Sequence, residues 1–428
     1  MSGTFSRLLG TNRVMLSNAG ALVGATVANS GLGLAYWWLA ARVFQRAELG
    51  LASAAIAAMV LLGTVGMIGL GTLLITEVAR RPQRAAQLIS AAVLAAGAAA
   101  TIMGLLFALL APQLSADLQP LSTDALRPLL FALGAGLTAV TLVLDQALIG
   151  LLWGDLQFWR NVLFAVAKLG FLCIAGAWLP SGDGMAIYAT WLAGNMLSLG
   201  VVAALMARRG LRLTQRPDWS LLRRLGGAAL WHHAFNLALL APGLLLPLLV
   251  TVLLSAEANA GFYLAWMLVG FVFVVPTALT TVLHAVGAAD AQALARETRR
   301  TLALSLPATL LASGLLFVVA GWVLGLFGAS YAAQATWCLR ILCLGGLPAI
   351  LKTHYIAICR ARDALHRALP LMIAGGLLEL ALATLGATLG GLLGLSLGWA
   401  TAVSIQAAFM GRAVYQAANP SPAVTRER

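Results

Sequence analysis

The chain has 428 residues, 61% of them hydrophobic and only 10% charged, with a mean hydropathy of +0.92. No soluble globular domain of that length carries such a mixture, so the sequence describes an integral membrane protein. The net charge of +13 would suggest a nucleic-acid partner in a soluble protein, but here the basic residues first report topology, and no nucleic-acid partner is expected.

The first apolar run, from about Met15 to Ala41, is longer than a signal-peptide core, has no clear cleavage site and is followed by many similar runs. It is expected to be a membrane span and not a cleaved leader. Further windows of spanning length fall at about 49–76, 88–112, 128–152, 161–179 and 185–207, then at 226–254, 259–287, 301–327, 333–356, 368–387 and 391–416. The expected fold is all-α, with twelve transmembrane helices in two pseudo-symmetric six-helix bundles. The longest connection, RRGLRLTQRPDWSLLRRLG at 208–226, divides the chain near its middle. This predicts an N-terminal bundle over 1–208, a cytoplasmic linker over 209–225 and a C-terminal bundle over 226–428.

With the amino terminus in the cytoplasm, twenty-one of the 27 basic residues fall on the cytoplasmic side, six of them between Arg208 and Arg224. Only Arg42, Arg46 and Arg127 face the other way, while Lys168, Arg340 and Lys352 lie within spans. That asymmetry places both termini in the cytoplasm. The basic excess also matches anionic headgroups.

The halves share short patterns. AELG at 47–50 opens the second span and ANAG at 258–261 the eighth, an offset of 211; WGDLQFWR at 153–160 matches RARDALHR at 360–367 through Asp155 and Asp363, an offset of 208. Two matches at nearly one offset favour an internal duplication. Six spans per half make the repeats parallel, related by an axis along the membrane normal.

Charges inside spans cost roughly 2.5–3.5 kcal/mol each on the lenient insertion scales, so they must pair, reach water or serve a function. Asp145 and Lys168 each lie about eight residues from the turn at 153–160, on the order of 12 Å from the cytoplasmic end, and are therefore expected to meet across a helical hairpin. In the second half Lys352 and Glu379 occupy the corresponding helices with acid and base exchanged, Glu379 one to two turns deeper. Both of the chain's lysines are embedded. Two readings stay open: salt bridges between helices, or a water-filled cavity in which Lys168, Lys352 and Arg340 form an electropositive site, with Asp145 or Glu379 as charge-pair or proton-coupling groups.

Softer candidates are Asn18 and Asn29, which share a face of the first span, and His232 and Asn236, one turn apart on the seventh. They would hydrogen-bond sugar hydroxyls or, equally, neighbouring helices. His284 and His354 read as packing residues. The four cysteines, Cys173, Cys338, Cys343 and Cys359, read as buried small side chains. No metal site and no cofactor are expected. Pro242, Pro247, Pro276, Pro307 and Pro348 fall inside spans of the second half, which predicts that bends concentrate there.

No connection exceeds about 20 residues, and no Walker loop, nucleotide fingerprint or zincin motif appears. A soluble catalytic domain, an ATP-driven pump and a glycosyltransferase are thereby excluded, and an enzyme is not expected. A transporter built from two repeats around a central cavity remains.

NSGLGLAYWWLAARVFQRAELGLASAAIA at 29–57 and LLITEVARR at 73–81 resemble the start of the polysaccharide biosynthesis, or oligosaccharide flippase, family of O-antigen type. That family belongs to the superfamily that also holds the multidrug and toxin extrusion exporters and lipid II flippases. The resemblance implies alternating-access flipping of an undecaprenyl-pyrophosphate-linked glycan from the cytoplasmic to the periplasmic leaflet of a bacterial inner membrane. Polysaccharide polymerases and assembly proteins are the implied partners. The alternative is a cation-coupled small-molecule exporter of the drug-extrusion type, although the first span carries no acid for coupling. A non-transporting scaffold of a polysaccharide assembly complex would leave the embedded charges as salt bridges alone.

Overall fold

The structure, a computed structural model, describes residues 30–178, 184–213, 215–287 and 291–419. Among them every regular element is helical. Inside a bilayer only helices and closed barrels satisfy every backbone N–H and C=O, and continuous apolar runs of about 20 residues or more suit helices. Contacts divide the chain into two compact units, one ending at Ala234 and the other beginning at Phe235.

The first unit contains α1 (helical at residues 30–43), α2 (Arg46–Gly66), α3 (Leu70–Arg80), α4 (Ala85–Leu114), α5 (Leu126–Gly150), α6 (Gly154–Trp178) and α7 (Gly184–Arg208). The second contains most of α8 (Trp219–Leu253), then α9 (Ala256–Gly270), α10 (Val274–Gly287), α11 (Ala291–Gly325), α12 (Ala329–Leu344), α13 (Gly346–Ala361) and α14 (Leu365–Ala418). Among the described residues nine helices are long and apolar enough to cross a membrane, or ten if the bent pair α12–α13 counts as one span.

Small residues let the helices of the first unit approach closely. On α4 the buried positions Ala92, Ala96, Ala100, Gly104 and Ala108 recur every four residues and so form one stripe. A methyl group at Gly104 would lie 2.8 Å from the side chain of Ala135 on α5. Without a hydrophobic drive between helices in lipid, such tight contact is what holds them together. The opposite face of α4 exposes Leu94, Ile102, Leu106 and Leu110.

The spans break where the backbone leaves the helical region. The window expected at 49–76 is two helices, α2 and α3, separated at Ile68 (φ 46°) and Gly69 (φ 77°), so bending is not confined to the second half. There, α9 and α10 meet at a 3₁₀ turn, Phe271–Phe273, just ahead of Pro276, and α12 and α13 bend by 46° at Gly345. Pro242, Pro247 and Pro307 sit within continuous helices. The two last expected spans are the arms of α14, which reverses at Gly390 and Gly391. Gly391 has φ 58° and Gly386 lies so close to Gly394 that a methyl on either would meet the other's carbonyl at 2.0 Å.

The connection after α7 is fixed to the first unit. Ser90 Oγ donates to the Leu213 carbonyl at 2.7 Å, Arg84 pairs with Asp218 at 3.6 Å and Arg209 with Asp155. Leu211 and Leu213 pack against the apolar core of α3, α4 and α5.

Candidate functional site

The embedded charges form two separate arrangements, one in each unit. In the first, α6 carries Lys168, 5% exposed. Its Nζ lies 3.8 Å from the ring centre of Trp191 on α7, 4.9 Å from Phe164 on α6 and 5.0 Å from Tyr36 on α1. The rings brace one another edge to face, Tyr36 and Phe164 each meeting Trp191 at 5.9 and 5.4 Å. Tyr36 is fixed in turn by its hydroxyl, which donates to the Ile187 carbonyl at 3.0 Å and shares a bond of 2.8 Å with Thr190. Gly194 on α7 admits the Lys168 backbone, since a methyl there would lie 3.0 Å from it.

No carboxylate pairs with Lys168 among the described residues. Desolvating a cation at this depth costs roughly 2.5–3.5 kcal/mol, while a desolvated ammonium–ring contact contributes on the order of 2 kcal/mol. Rings and desolvation are therefore closely matched.

The expected pair of Asp145 with Lys168 does not form. Asp145 instead accepts from Arg160 Nε at 2.7 Å and from Nη2 at 2.6 Å, the fork-to-carboxylate geometry that suits arginine. Arg160 Nη2 also donates to Asn161 Oδ1 at 2.7 Å. The reason is register. The turn after α5 is tight, with Leu152 at φ 59°, and α6 starts at Gly154, not near 161. Asp145 then lies roughly 8 Å and Arg160 roughly 9 Å from their helix ends, whereas Lys168 lies about 21 Å along α6. Arg160, assigned to a cytoplasmic loop by sequence, is 4% exposed inside the unit.

In the second unit the acid and base do meet. Lys352 on α13 donates to Glu379 on the first arm of α14. Glu379 Oε1 also accepts from Gln406 Nε2 at 2.9 Å, and Oε2 from the indole N–H of Trp399 at 3.2 Å, both on the returning arm. The reversal at Gly390–Gly391 sets these partners opposite Glu379. Trp266 on α9 stands edge to face against Trp399 at 5.1 Å. By the same counting Lys352 is about 14 Å from the end of α13 and Glu379 about 21 Å from the start of α14, a step the long lysine stem covers.

Arg340 on α12 donates from Nε to the Phe317 carbonyl at 3.2 Å, with Trp337 4.7 Å from its guanidinium. Arg360, in the last turn of α13, donates to Asn236 at 2.8 Å and stands over Phe235. Neither arginine has an acid partner among the described residues. Asn236 is thus engaged by a guanidinium, while His232 is exposed. His354 is buried with Nδ1 2.9 Å from the Ile350 carbonyl, and His284 is half-buried. Asn18 and Asn29 lie outside the described residues. Cys173 is exposed, contrary to expectation, while the other three cysteines are buried.

Sequence reasoning missed the tryptophans. Trp191 and Trp399 stand 208 residues apart, the offset already read from the two basic loops, and each contacts the embedded charge of its own unit. The two tight turns repeat as well. Leu152 and Asp363 both have positive φ (59° and 51°), and the Trp153 and Ala364 N–H groups close onto Leu148 and Cys359, all at an offset of 211. The structural match is therefore Leu152 with Asp363, three residues from the alignment suggested by Asp155.

This is the architecture of a multi-pass helical transporter fold, and solved structures share it. A multidrug resistance MATE-family transporter of the MOP superfamily, inward-facing, superposes with a TM-score of 0.76 over 94% of this chain and 99% of its own, at 14% identity. The lipid II flippase MurJ, in an inward closed conformation, gives 0.67 over 91% and 86% at 12% identity. A MOP-superfamily transporter from Pyrococcus furiosus, described as having a binding pocket of reverse polarity that suggests a different function, gives 0.62 over 94% and 96% at 14% identity. No protein-family profile and no curated protein sequence matches the chain. The chain has the fold of the MOP-superfamily transporters.

Proposed function

We propose that the protein is a flippase that carries a lipid-linked oligosaccharide bearing a diphosphate from the cytoplasmic to the periplasmic leaflet of a bacterial inner membrane. Twelve spans with both termini cytoplasmic, and alternating access between the halves, belong to this reading, as do an undecaprenyl-pyrophosphate carrier and polysaccharide assembly proteins as partners. No covalent chemistry is required of the chain. One observation carries the reading: both embedded acids, Asp145 and Glu379, are neutralised by a basic partner, while Lys168 and Arg340 have none among the described residues. The uncompensated embedded charge is positive, which suits a diphosphate and disfavours an organic cation. Tyr36, Trp37 and the helix they lie on come from the segment that resembles the oligosaccharide flippases.

The second reading, a cation-coupled exporter, is favoured by the superposition on the MATE-family transporter. The two separate in one assay. Purified protein in vesicles is given a fluorescent short-chain prenyl-diphosphate saccharide, or a fluorescent organic cation. Protein-dependent exposure of the first in the opposite leaflet, lost in Lys168→Met at equal reconstitution, supports the flippase. Transport of the cation alone overturns it.

A further inference from the structure

We infer that the second unit carries a fixed site for one anionic phospholipid, with its phosphate at Arg340 and one acyl chain in a cleft between α12 and the returning arm of α14. The inference does not rest on the flippase reading, because the occupant is a resident lipid of the bilayer and not the cargo. Trp337, Arg340, Ile341 and Leu344 recur at three, four and seven residues and so share one face of α12. Trp337 and Leu344 on that face are 61% and 58% exposed. The guanidinium stands at its edge. Nε donates to the Phe317 carbonyl, the rings of Trp337 and Phe317 lie 4.7 and 5.4 Å away, and the residue is partly exposed. With Nε occupied and no acid partner among the described residues, the outer Nη groups form a fork that matches a phosphate.

The depth of the guanidinium suits a headgroup. Arg340 is eleven residues into α12, about 16 Å, and helical side chains lean toward the N-terminus, so its stem carries the charge back to the level of Trp337. Trp322, 69% exposed, stands near the same end on α11. Exposed tryptophans at one end of adjacent spans mark the headgroup boundary, and an arginine near it reaches lipid phosphate by snorkelling. Deeper along the spans, Leu344 and Gly345 face Leu397, Thr401, Ile405 and Ala408 across an open cleft of about 450 Å³. Gly345 is the bend between α12 and α13, where a methyl would strike the Trp399 ring at 2.4 Å. From Leu397 to Ala408 the arm rises about 16 Å, half of a hydrocarbon core of about 30 Å. The cleft is thus as long as one leaflet's acyl chain, and a much longer carrier chain would overrun it. A zwitterionic headgroup brings its own cation, so the uncompensated charge of Arg340 favours a net-anionic one.

The test is native mass spectrometry of the full-length protein in detergent, titrated with dipalmitoyl phosphatidylglycerol, dipalmitoyl phosphatidylcholine, dihexanoyl phosphatidylglycerol or geranylgeranyl diphosphate. The expected result is one dipalmitoyl phosphatidylglycerol per chain, held more tightly than the other three. Arg340→Leu should weaken it about tenfold, the loss of a charged fork, and Arg340→Lys should recover part. Thr401→Trp, at an exposed position, fills the cleft and should weaken it as well while Arg340 stays intact. Phosphatidylglycerol bound as tightly by Arg340→Leu or by Thr401→Trp as by the wild type overturns the proposal, and so does phosphatidylcholine bound equally well. If Arg340→Leu does not fold, the wild-type lipid series and Thr401→Trp decide without it. Displacement of phosphatidylglycerol by geranylgeranyl diphosphate would give the site to the cargo, and a two-chain mass in place of the lipid-bound chain would give the face to a second copy; either result overturns the resident lipid. None of these readouts involves transport, so their failure leaves the flippase reading untouched.

Discussion

The two units place an embedded charge at matching depths and treat it in opposite ways. Lys168 lies about 21 Å along α6 and Glu379 about 21 Å along α14, and each meets a tryptophan from the next span, Trp191 or Trp399. The first tryptophan presents its ring face to a cation; the second presents its N–H edge to an anion. One amphoteric side chain serves both signs of charge. The difference lies in what else arrives: Glu379 gains a lysine and an amide, whereas Lys168 gains only rings. The second unit holds a completed network, and the first holds a charge left open.

Breaking the completed network should have the largest effect. Glu379→Ala leaves Lys352 half-buried and unpaired and is expected to cost about 3–5 kcal/mol, read as loss of thermal stability in detergent and of membrane abundance. Lys352→Met combined with Glu379→Leu should recover most of it. A double variant no more stable than Glu379→Ala alone would show that the network does not act through charge pairing. Arg160→Ala, which strands Asp145, belongs to the same class, and Arg160→Lys should recover only part because lysine lacks the fork.

A smaller loss sharpens the contrast. Trp399→Phe removes the indole donor to a buried carboxylate and should cost about 1–3 kcal/mol in the same melting assay. Lys168→Met removes an unpaired cation in favour of an apolar chain of similar length, so stability should change by less than about 1.5 kcal/mol or rise. If Lys168→Met melts as badly as Glu379→Ala, the two sites are not opposites at all.

The smallest effect lies outside the membrane. Asp124, before α5, accepts the Arg127 N–H and the Leu126 N–H, both at 2.9 Å. The Arg127 backbone bond foremost, then Leu126 and the Arg127 guanidinium, hold its carboxyl below its ordinary 3.8. A depressed carboxyl contributes stability above its unfolded value and loses it as pH falls through the folded one. Acid unfolding of the wild type should therefore show a small component below about pH 4 that is missing in Asp124→Asn. Identical acid limbs would remove Asp124 as its source.

Much of this architecture is legible in the sequence because lipid enforces it: long apolar runs must become helices, and the described spans follow the expected windows. Local geometry was less legible. The apolar window at 49–76 gives no sign that Ile68 turns left-handed, since hydropathy averages over a break. The pairing of Asp145 depended on where α6 begins, and a shift of seven residues in that start exchanges Lys168 for Arg160. The Lys352–Glu379 pair tolerated the same uncertainty because its step is short. The box around Lys168 could not be read from charge at all: its partners are aromatic, and aromatic residues in a membrane helix carry no pattern that separates packing from recognition. The recurrence of Trp191 at Trp399, 208 residues on, is a sequence signal that went unread.

The clamped connection after α7 has a consequence for the chain as a polymer. Ten free residues, the length of 209–218, would wander over roughly 17 Å end to end. Ser90, Arg84 and Asp155 remove that freedom once, when the first unit forms. The described residues at both ends of the segment then have little random walk left to restrict or release, so a ligand entering the first unit meets no long entropic spring between α7 and α8.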